Sequence, residues 1–170
     1  MKPLLIVDGY NVIGAWSEAE RHGWSLDECR DRLMRQLQDY GGYSGEEVVL
    51  VFDGYQSDKR LTTEEQHGAL TLVFTKHGET ADSYIERLVA QTPKYRTVRV
   101  ATSDGLEQAQ VLGSGATRMT SRELLRELRQ LRQKGLDQHR QQNPLQKNAL
   151  SARLPEDTRA VLEKLRRGNR

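Results

Sequence analysis

The sequence lacks the features that mark several large classes of protein. It has one cysteine, Cys29, which falls in a helical pattern and can form no internal disulfide, so we expect a reducing compartment. No apolar stretch approaches the roughly 18 residues that a membrane span needs. The apolar run at residues 4–7 is too short for the core of a signal peptide. These absences predict a cytoplasmic protein with no membrane partner.

Motifs for several cofactors and catalytic mechanisms are missing as well. The chain has no Gly-Lys-Ser/Thr of a P-loop, no dinucleotide fingerprint and no Gly-x-Ser-x-Gly of a serine hydrolase. Tyr10 stands where a haloacid-dehalogenase-type phosphatase needs its second aspartate. A zinc site is not expected, because none of the histidines lies at ligand spacing from another histidine or a cysteine: His22, His67, His77 and His139. No organic cofactor is therefore predicted.

Charge is distributed unevenly along the chain. Residues 118–170 contain 14 basic and 6 acidic residues, whereas residues 1–117 contain 12 basic and 18 acidic residues. The formal net charge of the whole chain is only +2. An acidic body with a basic C-terminal part is typical of a protein that binds a polyanion and holds a cation at its catalytic centre, although a solvated basic helix would give the same asymmetry.

Short apolar runs alternate with helical patterns along much of the chain. Alternation of strand and helix favours an α/β fold with a mainly parallel sheet and helices on both faces. We interpret residues 62–67, which are polar, as a short helix. The predicted strands are residues 4–8, 48–53, 70–75, 98–102 and 117–119, and the predicted helices are residues 26–40, 82–90 and 106–112.

Residues 120–141 are predicted to form one long helix. Thr120 and Glu123 make a capping box at its start, and leucines recur at helical spacing along one face. The segment that follows is rich in Gln and Asn and contains Pro144, which is typical of a linker, and a short amphipathic helix is expected near the end. The sequence therefore predicts two parts, a domain of residues 1–141 and a basic C-terminal segment of residues 142–170.

Acidic residues stand at the carboxyl ends of three predicted strands. Asp8 ends the first strand, Asp53 ends the second and Asp104 follows the fourth, while Asp82 opens a helix behind the predicted cap Thr80. Each acid alone is also an ordinary turn or cap residue, but sites in open α/β sheets form at these strand ends. Clustered carboxylates require a compensating cation, and an all-oxygen site suits Mg²⁺ or Mn²⁺. Together the acids predict a metal-dependent phosphodiesterase site.

Polar residues beside these acids each have two interpretations. Asn11 either orients Asp8 or forms a turn, and Thr102 and Ser103 either bind phosphate or complete a turn. Glu79 either reaches the site or, as we expect, is solvated in its loop.

Two features suit RNA binding. Tyr10 and Tyr55 lie beside two of the acids and either stack on an unpaired base or pack within their loops. Arginines recur every three to four residues on one side of the predicted long helix, where they can follow a phosphate backbone; they are Arg122, Arg126, Arg129 and Arg132.

Four sequence blocks together resemble the YacP-like branch of the NYN domain family, within the PIN-like nuclease superfamily. They are LLIVDGYNVI at residues 4–13, VVLVFDGY at 48–55, ETADSYIE at 79–86 and VATSDG at 100–105. Their order and spacing extend the resemblance over about residues 1–135. It implies a PIN-like, three-layer α/β/α fold with a five-stranded, mainly parallel sheet in the order 3-2-1-4-5, plus C-terminal helices.

The resemblance also implies an activity. Asp8, Asp82 and Asp104 match the metal-binding acids of the family, Asn11 matches their polar partner and Asp53 matches an outer acid of the site. The implied enzyme is a metal-dependent endoribonuclease that uses Mg²⁺ or Mn²⁺ to cleave single-stranded RNA in the cytoplasm. The resemblance further implies mRNA decay on translating ribosomes, so RNA and the ribosome are the expected partners.

Other functions stay open at this point. A non-catalytic RNA- or ribosome-binding module on the same fold would be marked by the loss of Asp8, Asp82 or Asp104, and all three are present. A flap-type DNA nuclease would carry further acids and a helix-hairpin-helix element, and the sequence contains neither. A phosphatase of small substrates is a more distant alternative.

Overall fold

The computed structural model describes residues 1–102 and 115–142 of this protein, without the side chains of residues 136–142. The predicted helix at 106–112, Ser103 and Asp104, and the segment after residue 142 lie outside the described residues. The strands are β1 (Leu4–Asp8), β2 (Glu47–Phe52), β3 (Thr63–His67), β4 (Leu70–Phe74), β5 (Val98–Ala101) and β6 (Thr117–Met119). The helices are α1 (Gly9–Gly14), α2 (Ser17–His22), α3 (Leu26–Ser44), α4 (Ala81–Gln91) and α5 (Ser121–Gln142).

The strands form one sheet in the order β3-β4-β2-β1-β5-β6. All neighbouring strands pair in parallel except β3, which pairs antiparallel with β4 at one edge. The five parallel strands have the order that the sequence predicted, so the mainly parallel α/β fold is confirmed. The predicted count of five strands is corrected to six, because the segment interpreted as a short helix at 62–67 contains β3. Its polar residues bond along the edge of β4 and need no apolar face for that pairing.

Both faces of the sheet are covered by helices. Leu4 and Ile6 of β1 share a core cluster with Ile85 and Val89 of α4. Since side chains alternate along a strand, the equally buried Leu5 and its neighbours point to the opposite face, where α3 packs against β2 and β4. The α/β/α layering therefore follows from strands that are apolar on both faces.

Side-chain caps fix the starts of the longer helices. The Thr80 Oγ1 accepts a hydrogen bond from the Ser83 amide at 3.1 Å at the start of α4. At the start of α5 the Thr120 Oγ1 accepts from the Glu123 amide at 3.1 Å, and the Glu123 carboxylate accepts from the Thr120 amide at 3.0 Å. Both predicted caps are confirmed, and they set where α4 and α5 begin.

A polar network joins α5 to the sheet. The Arg99 guanidinium on β5 donates to the Glu46 carboxylate and to the Tyr40 hydroxyl, both at 2.7 Å. The Tyr40 hydroxyl in turn donates to the Glu127 carboxylate of α5 at 2.9 Å. Burial raises the pKa of Tyr40 to about 12, so its phenol keeps its proton and remains a donor. The network therefore fixes the first turns of α5 against β5 and α3.

The chain divides into two compact units, Met1–Arg129 and Gln130–Arg170. The first contains the whole sheet, α1 to α4 and the start of α5. The second contains the end of α5. Among the described residues, no helix is both long and apolar enough to cross a membrane.

Candidate functional site

Three strands bring polar residues to the same edge of the sheet. Asp8 ends β1 and pairs in register with Val51, so Asp53 follows two residues later on the neighbouring strand β2. On the other side of β1, Val7 pairs with Ala101 and Thr102 follows β5. Because these strands are parallel, their carboxyl ends meet at one edge. The predicted meeting of Asp8 and Asp53 with the end of β5 is therefore present in the fold.

Asp8 lies at the centre of this edge and is largely buried, with 8% of its surface exposed. It occupies the N-cap position of α1, directly after β1, yet its side chain makes no capping hydrogen bond to that helix. A carboxylate at an N-cap ordinarily accepts from the helix amides. Its orientation is thus set by something other than the helix that it precedes.

Asp53 has a different environment. One carboxylate oxygen accepts from the Tyr55 amide at 2.7 Å, and the other accepts from the Ala81 amide at 3.2 Å. Ala81 is the first residue of α4, so Asp53 joins the end of β2 to the start of that helix. Asp82 is the next residue of α4 and has an exposed side chain. The link therefore brings the helix start that carries Asp82 to the carboxyl edge.

Two glycines allow the chain to pack closely at this edge. A Cβ on Gly9 would collide with the Phe52 ring, and a Cβ on Gly54 would collide with the Thr75 carbonyl. The Thr75 hydroxyl is fully buried, accepts from the Gly54 amide at 2.7 Å and donates to the Glu79 carbonyl at 2.8 Å. The glycine after each strand-end aspartate is thus required by close approach of neighbouring chain.

Asn11 links α1 to α5. Its side-chain oxygen accepts a hydrogen bond from the hydroxyl of Ser121, which is fully buried at the first position of α5. The amide therefore helps to hold two helix starts together beside Asp8. Its predicted catalytic role stays a prediction, because the contact explains a structural role by itself.

The described residues contain only part of the predicted metal-ligand set. Asp8 and Asp82 are described, but Asp104 is not. Within residues 1–102 and 115–142, no group of three or more His, Cys, Asp or Glu residues is arranged to hold a metal ion. The donor chemistry of Asp8 and Asp82 nevertheless fits Mg²⁺ or Mn²⁺, since both ions prefer carboxylate oxygens. The assignment of these residues as ligands remains a prediction.

The predicted arginine stripe lies partly along a groove. Arg122, Arg126 and Arg129 line it together with Trp16 and Leu125, and its volume is about 310 Å³. Trp16 and Leu125 are buried, so the groove has an apolar floor and a cationic rim. This combination suits a polyanion that also carries apolar groups. Arg132 is exposed and is not part of the described groove lining.

Tyr10 packs against Phe52 and bonds to Arg30 beside this edge. Its ring centroid lies 4.9 Å from that of Phe52, and its hydroxyl accepts from the Arg30 guanidinium at 3.0 Å. Tyr55 is more exposed, with 49% of its surface accessible, and its ring lies 6.5 Å from that of His77. Tyr10 therefore packs within the fold and lines a cavity, whereas Tyr55 presents its ring to solvent.

Two residues that shape this edge were not predicted from the sequence. Glu79 was expected to be solvated, but it is buried and its carboxylate accepts from the Thr62 hydroxyl at 3.3 Å and from Arg87 at 3.4 Å. Thr75, which holds the Asp53 loop in place, was not singled out either. The sequence could have indicated Thr75, because it is a polar residue directly after a buried strand, as Asp53 and Thr102 are.

Comparison with known proteins covers nearly the whole chain. Residues 5–167 match the family described as YacP-like NYN domain. The uncharacterized protein YacP of Bacillus subtilis (strain 168) is 36% identical over 168 residues, which make up 98% of this chain and 98% of that protein. The predicted family resemblance is thereby confirmed, and the match continues beyond the four sequence blocks into the C-terminal segment.

Solved structures agree with this match. A crystal structure of a single-residue mutant of Rae1 (YacP) from Bacillus subtilis has a TM-score of 0.70 to this chain at 34% identity, covering 98% of this chain and 96% of that one. A second crystal structure of Rae1 (YacP) has a TM-score of 0.67 at 34% identity, covering 99% and 97% of the two chains. The fold and the sequence motifs therefore point to the same relatives.

Proposed function

This chain belongs to the YacP-like NYN domain family, whose domains are PIN-like nucleases, and from that premise we propose that it is a metal-dependent endoribonuclease that cleaves single-stranded RNA. Family membership supports a nuclease-type, RNA-related function. The metal, the reaction and the residues that carry it are proposed from the site.

The observation that carries the proposal is the position of Asp8. It is a carboxylate with 8% exposure at the carboxyl end of the central strand, beside a helix start that it does not cap. The Asp53 contact with Ala81 brings the start of α4, and with it Asp82, to the same edge. Asp8 and the start of the helix that carries Asp82 thus both lie toward the edge where open α/β sheets bind ligands.

In this proposal Asp8, Asp82 and Asp104 hold Mg²⁺ or Mn²⁺, and Asn11 and Asp53 support them. A divalent cation there would lower the pKa of a water molecule and offset the charge that builds on the scissile phosphate. Asp53 acts by fixing the start of α4, because both its oxygens accept backbone amides. Asn11 acts by holding α1 against Ser121.

RNA is held in the proposal by the groove that Arg122, Arg126 and Arg129 line. Neutralising phosphates with arginines releases counterions, so affinity should fall steeply as salt rises. Tyr10 is included as a further RNA contact, and Arg132, which belongs to the second unit, stays a separate prediction. By likeness to the YacP family we propose that the substrate is mRNA on the ribosome, that the protein takes part in mRNA decay and that it acts in the cytoplasm.

The first experiment is calorimetric titration of Mn²⁺ into the wild type and into Asp8→Asn and Asp82→Asn, with Asp39→Asn as an exposed control on α3. We expect binding by the wild type and the control, and at least about tenfold weaker binding by the other two. Equal binding by all four proteins would refute the proposed ligands.

The second experiment measures cleavage of an mRNA during translation by purified ribosomes, with the product ends mapped. We expect new ends with the wild type and none with Asp8→Asn. Cleavage that survives both the Asp8→Asn exchange and removal of divalent cations would exclude the proposed chemistry.

One observation favours a second function, a non-catalytic RNA- or ribosome-binding module. The arginine groove can bind RNA without help from the acids. The two functions separate in one comparison: the module predicts that wild type and Asp8→Asn both bind RNA and that neither cleaves it.

A further inference from the structure

A cavity of about 680 Å³ lies between α3 and the loop after β2. Tyr10 and Asp53 form part of its wall, and Asp53 also accepts from the Ala81 amide at the start of α4. Tyr10 is two residues from Asp8 in the chain. The cavity therefore adjoins the proposed catalytic edge directly.

A row of aromatic rings lines one wall of the cavity. The Phe52 ring is central and buried, with the Tyr10 ring centroid 4.9 Å away on one side and the Phe74 centroid 5.4 Å away on the other. Tyr10 and Phe74 are half-buried, so each offers part of a ring to the cavity. The Lys59 ammonium lies 5.3 Å from the Phe74 centroid. This wall suits a flat, aromatic ligand.

The charged lining excludes a phosphate as the main occupant. Asp27, Asp31 and Asp53 contribute three carboxylates, against the two cations Arg30 and Lys59. Arg30 is already engaged by Asp27 and by the Tyr10 hydroxyl. A neutral ligand with hydrogen-bond donors fits this lining better than an anion does.

Two polar groups on the cavity wall can bond to a ligand. The Asp31 carboxylate is exposed to solvent, and the buried Ser57 hydroxyl has no hydrogen-bond partner among residues 1–102 and 115–142. Ser57 is also held in place, because its carbonyl accepts a hydrogen bond from the His77 ring at 2.7 Å and its amide donates to the Gly54 carbonyl at 2.8 Å. The cavity wall thus offers a buried hydroxyl whose hydrogen-bonding capacity is unused among the described residues.

We propose that this cavity holds one unpaired nucleobase of the substrate RNA, stacked on Phe74, and prefers a base with an exocyclic amino group. The inference rests on the proposed nuclease function and specifies its substrate. Asp31 accepts hydrogen bonds only, so it matches the amino groups of adenine, cytosine and guanine; uracil offers one N–H between two carbonyl oxygens. A base on Phe74 displaces the Lys59 ammonium from the ring. The flexible Lys59 side chain then carries the ammonium to the phosphate of the same nucleotide.

The test uses uncharged nucleosides, so that phosphate attraction plays no part. Adenosine, cytidine and uridine are titrated into the full-length, ¹⁵N-labelled protein, and amide chemical shifts are followed. We expect adenosine and cytidine to shift amides of the loop after β2 and of β4, with uridine binding more weakly. Shifts confined to other surfaces, or equal binding of all three nucleosides, would overturn the proposal.

Two variants locate the binding. Phe74→Leu should weaken adenosine binding about tenfold by removing the stacking ring. Asp31→Asn should reduce the difference between the affinity for adenosine and the affinity for uridine. The matched controls are Tyr95→Leu, an aromatic residue with 78% exposure, and Asp39→Asn on the same helix as Asp31. Asp31 is exposed, so its variant keeps the test decisive if Phe74→Leu does not fold. Unchanged nucleoside binding in Asp31→Asn and a folded Phe74→Leu would refute the assignment.

Failure of this inference is distinguishable from failure of the proposed function. Asp8→Asn should lose RNA cleavage and keep adenosine binding. If Asp8→Asn is inactive but no nucleoside enters the cavity, only the base site is refuted. If adenosine binds there but cleavage does not depend on Asp8, the base site stands and the proposed chemistry fails.

Discussion

Two Asp-Gly pairs stand at the carboxyl ends of neighbouring strands of the sheet, and the structure uses them differently. Each carboxylate oxygen of Asp53 accepts a hydrogen bond from a backbone amide. One of these amides lies in the loop that follows Asp53, and the other lies at the start of α4. Asp8 sits at a helix N-cap without capping the helix, and it is the more buried of the two. The same dipeptide thus fixes the backbone in one place and holds a carboxylate at the sheet edge in the other.

The difference shows that a repeated motif can have two roles. Gly9 and Gly54 are each explained by what a Cβ would strike. The aspartates are not explained by the motif alone, because Asp53 bonds to the start of α4 whereas Asp8 does not cap α1. The two pairs therefore predict two different phenotypes.

The largest expected effect is on catalysis. Asp8→Asn should lower the rate of RNA cleavage by at least about 100-fold, because it removes a proposed metal ligand. Asp53→Asn is the matched variant, and it should retain more cleavage than Asp8→Asn does. The comparison fails if Asp53→Asn loses as much activity as Asp8→Asn without losing stability.

The next effect is on packing. Gly54→Ala should lower the free energy of unfolding by about 3 kcal/mol, because the added methyl group meets the Thr75 carbonyl, which is backbone and cannot turn aside. Gly9→Ala meets the Phe52 ring and should cost less. Gly14→Ala is the control, since nothing lies within 4 Å of its Cβ position. Urea denaturation of the three variants measures the order of their free energies of unfolding. Equal values would contradict the close packing of neighbouring chain against Gly54 and Gly9.

A smaller effect is expected when Asp53 itself changes. Asp53→Asn should lower the free energy of unfolding by about 1–2 kcal/mol, since a carboxamide cannot accept both amides and turns its own NH₂ toward one of them. Asp58→Asn, an exposed acid of the same loop, should be neutral. A neutral Asp53→Asn would show that the two hydrogen bonds do not stabilise the fold.

The smallest effect concerns the cap of α4. Thr80→Ala should cost about 1 kcal/mol by removing the acceptor for the Ser83 amide. Because Asp53 bonds to the same helix start, the two substitutions should be non-additive in a double-mutant cycle. Ser25→Ala, which removes the cap of α3, is the control. Its effect on the free energy of unfolding should add to the effect of Asp53→Asn. Additivity in both cycles would mean that Asp53 and Thr80 act separately.

Much of the fold could be predicted because its signals are local. Buried parallel strands appear as apolar runs, and the caps Thr80 and Thr120 appear as polar residues before helical patterns. Strand β3 was missed because its five residues, Thr-Glu-Glu-Gln-His, contain no apolar side chain. Its pairing depends on the free edge of β4, which is a property of the assembled sheet and not of the segment.

The site was predictable to a smaller extent. Strand ends pointed to Asp8 and Asp53, because parallel strands bring their carboxyl ends together. The division of roles between those two acids depends on which amides face them, and no local pattern carries that information. The cavity was not foreseen for the same reason, since Arg30, Lys59 and Phe74 come from three separate elements.

The two edges of the sheet carry a consequence for behaviour at high concentration. An open strand edge is a template on which another chain can add a strand. Here β6 has only three residues, and β3 carries Glu64 and Glu65, with Glu64 also accepting a hydrogen bond from Tyr84 at 2.8 Å. A short strand offers little to pair with, and adjacent negative charges repel a second copy of the same strand. We therefore expect these two edges to resist edge-to-edge association, and we expect exchange of both glutamates for glutamine to weaken that resistance.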